Sequence, residues 1–233
     1  KGNSAEVRIF EGMSVKEIAK ILEERKLIDG AGELERLALN FNNSLGRYEF
    51  LPNKRSINLE GYLFPDTYKF EKSSAQELIQ TMLNNFEKRV YSQFSYLNVD
   101  DLNEIIIMAS MLEKEVQTEE DMKLVSGILW KRLQSEVPLQ VDATLVYIKC
   151  FILNQSDCRF LNNDDRKIES LYNTYLHKGL PPGSISNPGL TAIRSALRPE
   201  NSPYWYYLSA RDDGRTIFSR TLEEHNLNRS VYR

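Results

Sequence analysis

The chain has 233 residues, 41% of them hydrophobic and 27% charged, with a net charge of -3. That composition builds a water-soluble globular core of one large or two small domains. It lacks the basic excess of a nucleic-acid binder, and no apolar run approaches the length of a bilayer span. The chain opens on Lys1-Gly2-Asn3, with no Met and no signal peptide, and reads as a trimmed segment from which a membrane anchor could have been removed.

Glu6 to Phe10 alternate polar and apolar, as a short strand does. Glu11-Gly12-Met13 reads as a turn, and Ser14 with Glu17 forms the capping box of a helix whose stripe is Val15, Ile18, Ala19, Ile21 and Leu22. Gly30 punctuates before a second short helix over 32–41. Residues 43–58 are polar and irregular, so a boundary is expected there, with a small α+β subdomain over 1–55 and a mixed helical and β domain over 56–233. The stretch Glu60 to Phe70 is aromatic-rich and contains Gly and Pro, as a strand or loop does. Helices follow over 75–94, 102–116 and 119–133. Val137 to Thr144 is extended. Residues 150–170 are polar and read as an insertion or long loop, and Leu180-Pro181-Pro182-Gly183 is a turn. Pro188 opens a helix carrying Leu190, Ile193 and Leu197. Tyr204–Ser209 and Thr216–Ser219 read as a hairpin around Asp213-Gly214, and the chain ends in a helix from Leu222.

The two cysteines, Cys150 and Cys158, lie in that polar stretch. They are either free thiols or a local disulfide, which would imply an oxidising compartment. The two histidines, His177 and His225, are not at ligand spacing from them, so no metal and no cofactor is expected.

One carboxylate is out of place. At about 100° per residue, Leu102, Ile105, Ile106, Ala109, Leu112 and Val116 form one stripe, and Glu113 falls inside it. Glu104 and Glu115 project to the opposite side. A carboxylate on an apolar face is costly unless paired, or protonated with a raised pKa. Glu113 is therefore either a structural partner of a buried cation or a general acid.

The string Ala109-Ser110-Met111-Leu112-Glu113-Lys114-Glu115 resembles the catalytic helix of the endolytic murein transglycosylase (YceG-like) family. Four more stretches match in that family's order. They are Glu60 to Tyr68, Pro138 to Thr144, Tyr172 to Tyr175 with Gly179 to Ile185, and Phe218 through Glu224-His225-Asn226. The Glu11-Gly12-Met13 module is similar to its LysM-like subdomain. Lys149 through Ser170, both cysteines included, has no counterpart among the motifs.

The resemblance implies cleavage of the β-1,4 bond between N-acetylmuramic acid and N-acetylglucosamine in peptidoglycan. Glu113 would act first as acid, then as base, closing a 1,6-anhydro ring without water. It also implies a substrate-binding set of Gln140, Asp142, Asn173, Tyr175, His225, Tyr62 and Phe64. For Gln140, Asn173 and Tyr175 the other reading is local loop bonding; for Asp142, a helix cap; for Tyr62 and Phe64, core packing. The partners implied are nascent glycan strands and cell-wall synthases, with no nucleic acid. The place implied is the outer face of the cytoplasmic membrane, on a single-pass anchor. Two alternatives stay open: a hydrolytic muramidase pairing Glu113 with an Asp, and a non-catalytic peptidoglycan-binding protein.

Overall fold

The computed structural model describes residues 4–211 and 214–232. It is an α+β chain whose contacts divide into two units. One contains the chain up to Ser110 with Gly183–Leu190, and the other contains Met111–Pro182 with Thr191 onward.

In the first unit, β1 (Ser4–Arg8) pairs antiparallel with β2 (Thr67–Glu71), Val7 lying opposite Tyr68. Between them come α1 (Val15–Glu24) and α2 (Ala31–Leu39). The capping box is present: Ser14 accepts from the Glu17 N–H, and Glu17 accepts from the Ser14 N–H at 2.9 Å. α3 (Ala75–Phe86) starts on a second such box, Ser74 with Glu77, and continues through a π turn into α4 (Ser92–Phe94).

The boundary expected near residue 55 does not coincide with this division. The polar segment 43–58 sends Asn43, Tyr48, Phe50, Leu51 and Ile57 into the core of the first unit. Asn43 is buried, donates to the Tyr48 and Leu51 carbonyls and accepts from the Tyr48 N–H. Its side chain thereby does the work of a backbone ladder, and Tyr48, Phe50 and Leu51 are turned inward. Polar composition here reflects a hydrogen-bonded loop and not a solvated linker.

The segment Gly183–Leu190 is tied to this unit through Asn187. Its Oδ1 accepts from the Gly61 and Leu63 N–H groups at 3.0 and 2.9 Å. Its Nδ2 donates to the Met13 carbonyl and to Glu60 Oε1. Glu60 in turn accepts from the Val15 N–H at 2.9 Å. One buried amide thus joins three stretches far apart in sequence, which satisfies their buried polar groups.

α5 (Val99–Glu115) begins in the first unit and ends in the second. The second unit continues with α6 (Glu119–Gln134), α7 (Asp142–Tyr147), α8 (Leu190–Leu197, from Thr191 onward), the antiparallel hairpin β3 (Tyr206–Ser209) and β4 (Thr216–Ser219), and α9 (Leu222–Tyr232). Of the expected hairpin turn, Asp213 lies outside the described residues. The C-terminal half of α6 grips the segment before β3. Trp130 Nε1 donates to the Ala196 carbonyl, Lys131 to the Ser202 and Tyr204 carbonyls, and Arg132 Nε to the Trp205 carbonyl.

The 149–170 stretch is closed by the Cys150–Cys158 disulfide and pinned by a nearly buried ion pair, Lys149 Nζ to Asp165 Oδ2 at 2.9 Å. Lys149 also donates to the Phe160 carbonyl at 2.8 Å. Desolvation pushes the Asp165 carboxyl up, but the Asn162 N–H and the Lys149 ammonium outweigh it and hold it below the usual carboxylate range. A depressed folded-state pKa contributes stability that is present above the unfolded value, near 3.8, and is lost as pH falls through the folded one. Lys149→Met leaves that carboxylate without its cation, and we expect it to cost about 2 kcal/mol. Trp130 and Trp205, the only tryptophans, both lie in the second unit, so their fluorescence in a urea titration at neutral pH reads the loss.

Candidate active site

The second unit holds an open cleft of about 1280 Å³. That exceeds an ordinary small-ligand pocket, about 300–1,000 Å³, and gives room for several sugar rings. It is lined by the end of α5, the 139–143 turn, α7, β3, α9 and residues 159–166, with Arg132 of α6, Tyr175 and Arg211.

Two carboxylates line it, Glu115 and Asp142. Glu115 Oε1 accepts from the Ala143 N–H at 3.1 Å, and the Tyr207 hydroxyl donates to the same side chain. Burial first, then the Glu115 charge, raises the Tyr207 phenol well above its ordinary value, so it stays protonated as a donor. Asp142 accepts from the Tyr175 hydroxyl. Burial first and the Asp142 charge second push that phenol up as well. Each carboxylate is therefore oriented by a protonated tyrosine, as a proton-transferring group requires.

The turn that presents Asp142 is held by Thr174. The Thr174 carbonyl accepts from the Gln140 N–H at 3.0 Å, and Thr174 Oγ1 from the Val141 N–H at 2.9 Å. Gln140 sits at φ 55°, in the left-handed region that a side chain normally avoids. The strain is borne at the cleft lining, where such conformations concentrate.

Arg132 forms part of the cleft lining and is itself 5% exposed. It donates to the Leu139 carbonyl at 2.9 Å and lies over the Tyr206 ring at 4.9 Å. His225 stacks on the same Tyr206 ring, with 5.2 Å between the two centroids. Among the described residues no group of three or more His, Cys, Asp or Glu gathers as metal ligands do.

Of the sequence-derived set, the cleft lining contains Gln140, Asp142, Tyr175 and His225. It does not contain Glu113, Asn173, Tyr62 or Phe64. Glu113 is half-buried on α5, while Glu115, two positions on, lines the cleft. Every residue from Ile106 to Leu112 is buried. A helix buried all round has no single apolar face, so projecting onto one does not tell which carboxylate meets a cavity. Asn173 is fully buried, and its Nδ2 donates to the Arg166 and Ile168 carbonyls at 3.1 and 2.8 Å. It builds the loop behind the cleft. Tyr62 is 3% exposed, packs on Phe86 at 5.2 Å and donates to Asn103 at 3.0 Å. Phe64 is buried too, and its carbonyl accepts from the Tyr68 hydroxyl. Both belong to the aromatic core of the first unit.

Pattern reading passes over Tyr207 and Arg132, and it places Glu115 on the solvated side of the helix. The signals were slight: a Glu-Lys-Glu helix end, an aromatic pair in a strand, and a basic residue at a helix end.

The YceG-like family matches residues 1–230, and the chain belongs to that family. It is 30% identical over 99% of its length to the endolytic murein transglycosylase of Bacillus subtilis, of which it covers 66%. It is 33% identical over 77% of its length to the endolytic murein transglycosylase of Streptococcus pneumoniae, covering 34% of that protein. The chain thus spans about two thirds and one third of these relatives. A crystal structure of a yceG-like protein from Listeria monocytogenes superposes with a TM-score of 0.74 at 29% identity, over 96% of this chain and 75% of that one.

Proposed function

We propose that this chain cleaves the MurNAc-β-1,4-GlcNAc bond of peptidoglycan as an endolytic lytic transglycosylase, with Glu115 as its acid and base. The observation that carries the proposal is Glu115 itself, oriented by the Ala143 N–H and the Tyr207 hydroxyl in a cleft of oligosaccharide size. Protonated Glu115 gives its proton to the glycosidic oxygen as the bond to C1 breaks. The resulting carboxylate takes the proton of the muramoyl C6 hydroxyl, whose oxygen bonds to C1 and closes the 1,6-anhydro ring. No water enters, and the attacking hydroxyl gains from being on the same sugar. Gln140, Asp142, Tyr175 and His225 line the same cleft and supply its polar binding surface.

Several observations support the wider reading. A disulfide suits a domain outside the cytoplasm. Among the described residues no helix is long and apolar enough to cross a membrane. The order β1, α1, α2, β2, with the two strands paired, supports reading the start of the chain as a LysM-like glycan-binding module. Nascent strands beside cell-wall synthases complete the proposal as substrate and partner.

Asp142, the second carboxylate of the cleft, favours one rival reading, hydrolysis with Asp142 as base to a water. The mass of the released glycan decides. We expect products lighter by one water than reducing ends; reducing-end products establish the muramidase reading in its place.

A further inference from the structure

Among the described residues, the phenyl and phenol rings that line the cleft are those of Phe160, Tyr175, Tyr206 and Tyr207. The three tyrosines are committed to protein groups. The Tyr207 hydroxyl donates to Glu115. The Tyr175 hydroxyl donates to Asp142, and Arg166 lies over its ring. Tyr206 meets the Arg132 guanidinium and stacks with His225. Phe160 differs. It is 77% exposed, and among the described residues no ring or cation stacks on it.

The backbone beneath this exposed ring is nevertheless fixed on both sides. Cys158, two residues before it, is bonded to Cys150. The Phe160 carbonyl accepts from Lys149 Nζ at 2.8 Å. Lys149 is itself buried and paired with the Asp165 carboxylate. Asp165 also accepts from the N–H of Asn162, two residues after the ring, at 2.7 Å. A buried ion pair adds little net stability, and its better-attested use is to specify one arrangement. The arrangement specified here presents a flat apolar ring at the cleft lining. Leaving a Phe ring in water forgoes the gain of burying it, and a ligand that covers it has no loop to order.

A sugar ring suits that position. In β-1,4-linked, N-acetylated glucose-type units the ring substituents are equatorial, so each face presents C–H groups. Such a face stacks on the electron-rich face of an aromatic ring. Asn162 and Asn163 line the cleft beside Phe160, and side-chain amides can both donate to and accept from the hydroxyl and acetamido groups at the rim of the same sugar. A lipid or protein surface calls instead for a contiguous apolar patch. Phe160 stands in the lining with Arg159, Leu161, Asn162 and Asn163, which are mostly polar.

We infer that Phe160 is a stacking platform for a pyranose ring of the glycan strand, held in place by the anchored loop 149–170. The inference rests on the proposed peptidoglycan substrate. It adds a sugar subsite, built from the stretch that has no counterpart among the family motifs.

The test is binding of fluorescent glycan strands, freed of stem peptides by an amidase, to the Glu115→Gln protein, which prevents turnover. In that background Phe160→Ala should weaken binding about tenfold, the scale of one stacked ring. Phe160→Trp should keep the affinity. Phe160→Leu is apolar but has no flat face, and it should lose most of the affinity. Added salt should leave these differences in place, since no charge pair is involved. The urea midpoint of Phe160→Ala, read by tryptophan fluorescence, should match the parent. Equal binding by Phe160→Ala and the parent overturns the inference, as does a Phe160→Leu protein that binds like the parent. So does a loss in Phe160→Ala that comes with a lowered urea midpoint, which marks a structural role. So does a Glu115→Gln protein that binds no strand. A Phe160→Ala protein that keeps strand binding but no longer binds vesicles of phosphatidylglycerol and phosphatidylethanolamine assigns the ring to a membrane instead. Product mass reads the chemistry and strand binding reads the platform, so either proposal can fail while the other stands.

Discussion

Glu115→Gln is expected to lower glycan cleavage about a thousandfold, within the span of losing a general acid and base. The substitution keeps size and shape. An amide oxygen still accepts from the Ala143 N–H and the Tyr207 hydroxyl, so the floor of the cleft is retained. What is lost is the exchangeable proton. Binding of glycan should therefore survive while kcat falls, the signature of an interaction made in the transition state. Glu113→Gln, on the same helix but away from this cleft lining, should leave the rate within a few-fold of the parent. Anhydro-muropeptide release, followed by chromatography and mass, measures both. The opposite result, an active Glu115→Gln and a silent Glu113→Gln, would return the catalytic role to Glu113. If neither substitution touches a measurable cleavage, neither Glu113 nor Glu115 is the catalyst.

Gly61→Ala is expected to destabilise the first unit by about 3 kcal/mol, from overpacking and a disfavoured backbone together. Gly61 has φ 98°, which only glycine adopts without strain. A Cβ there would lie 2.4 Å from Ser184 Oγ and 2.7 Å from Ile106 Cγ2. Neither is the far end of a flexible side chain. Moving Gly61 would also loosen its N–H from Asn187, and with it the network through Glu60 to Val15. Because both tryptophans report on the second unit, hydrogen exchange at the β1 and β2 amides is the suitable measurement. Exchange should accelerate by about a hundredfold, as that free energy requires. Unchanged protection would mean that the segment around Ser184 yields to the extra carbon at little cost.

Both expectations touch motifs that look alike in sequence and differ in kind. Glu60 to Tyr68 is a conspicuous aromatic stretch, and it reads as a sugar-stacking surface. In the fold it is a packing and hydrogen-bonding junction: Tyr62 and Phe64 are core, and Gly61 permits close approach. Aromatic rings bury well and stack well on sugars, so composition cannot separate the two uses. Asn173 illustrates the same ambiguity among polar residues. Its amide could serve a ligand or a loop, and the carbonyls of Arg166 and Ile168 had already taken its donors.

Local chemistry carried the sequence a long way. The capping box at Ser14, the helix from Ala75, the run of α5, the paired strands over 206–219 and the terminal helix follow from periodicity and from short-range hydrogen bonding, which act within a few residues. The ordered motifs indicate the family, and four of their residues, Gln140, Asp142, Tyr175 and His225, line the cleft. Tertiary structure alone decided which carboxylate of the Glu-Lys-Glu helix end lines the cleft, because the stretch 106–112 before it is buried throughout and its pattern favours no one face. It alone closed Cys150 to Cys158 and brought the unmatched 149–170 loop to the cleft wall. These are long-range outcomes, set by the few contacts such as Lys149 with Asp165 that satisfy buried polar groups across distant stretches.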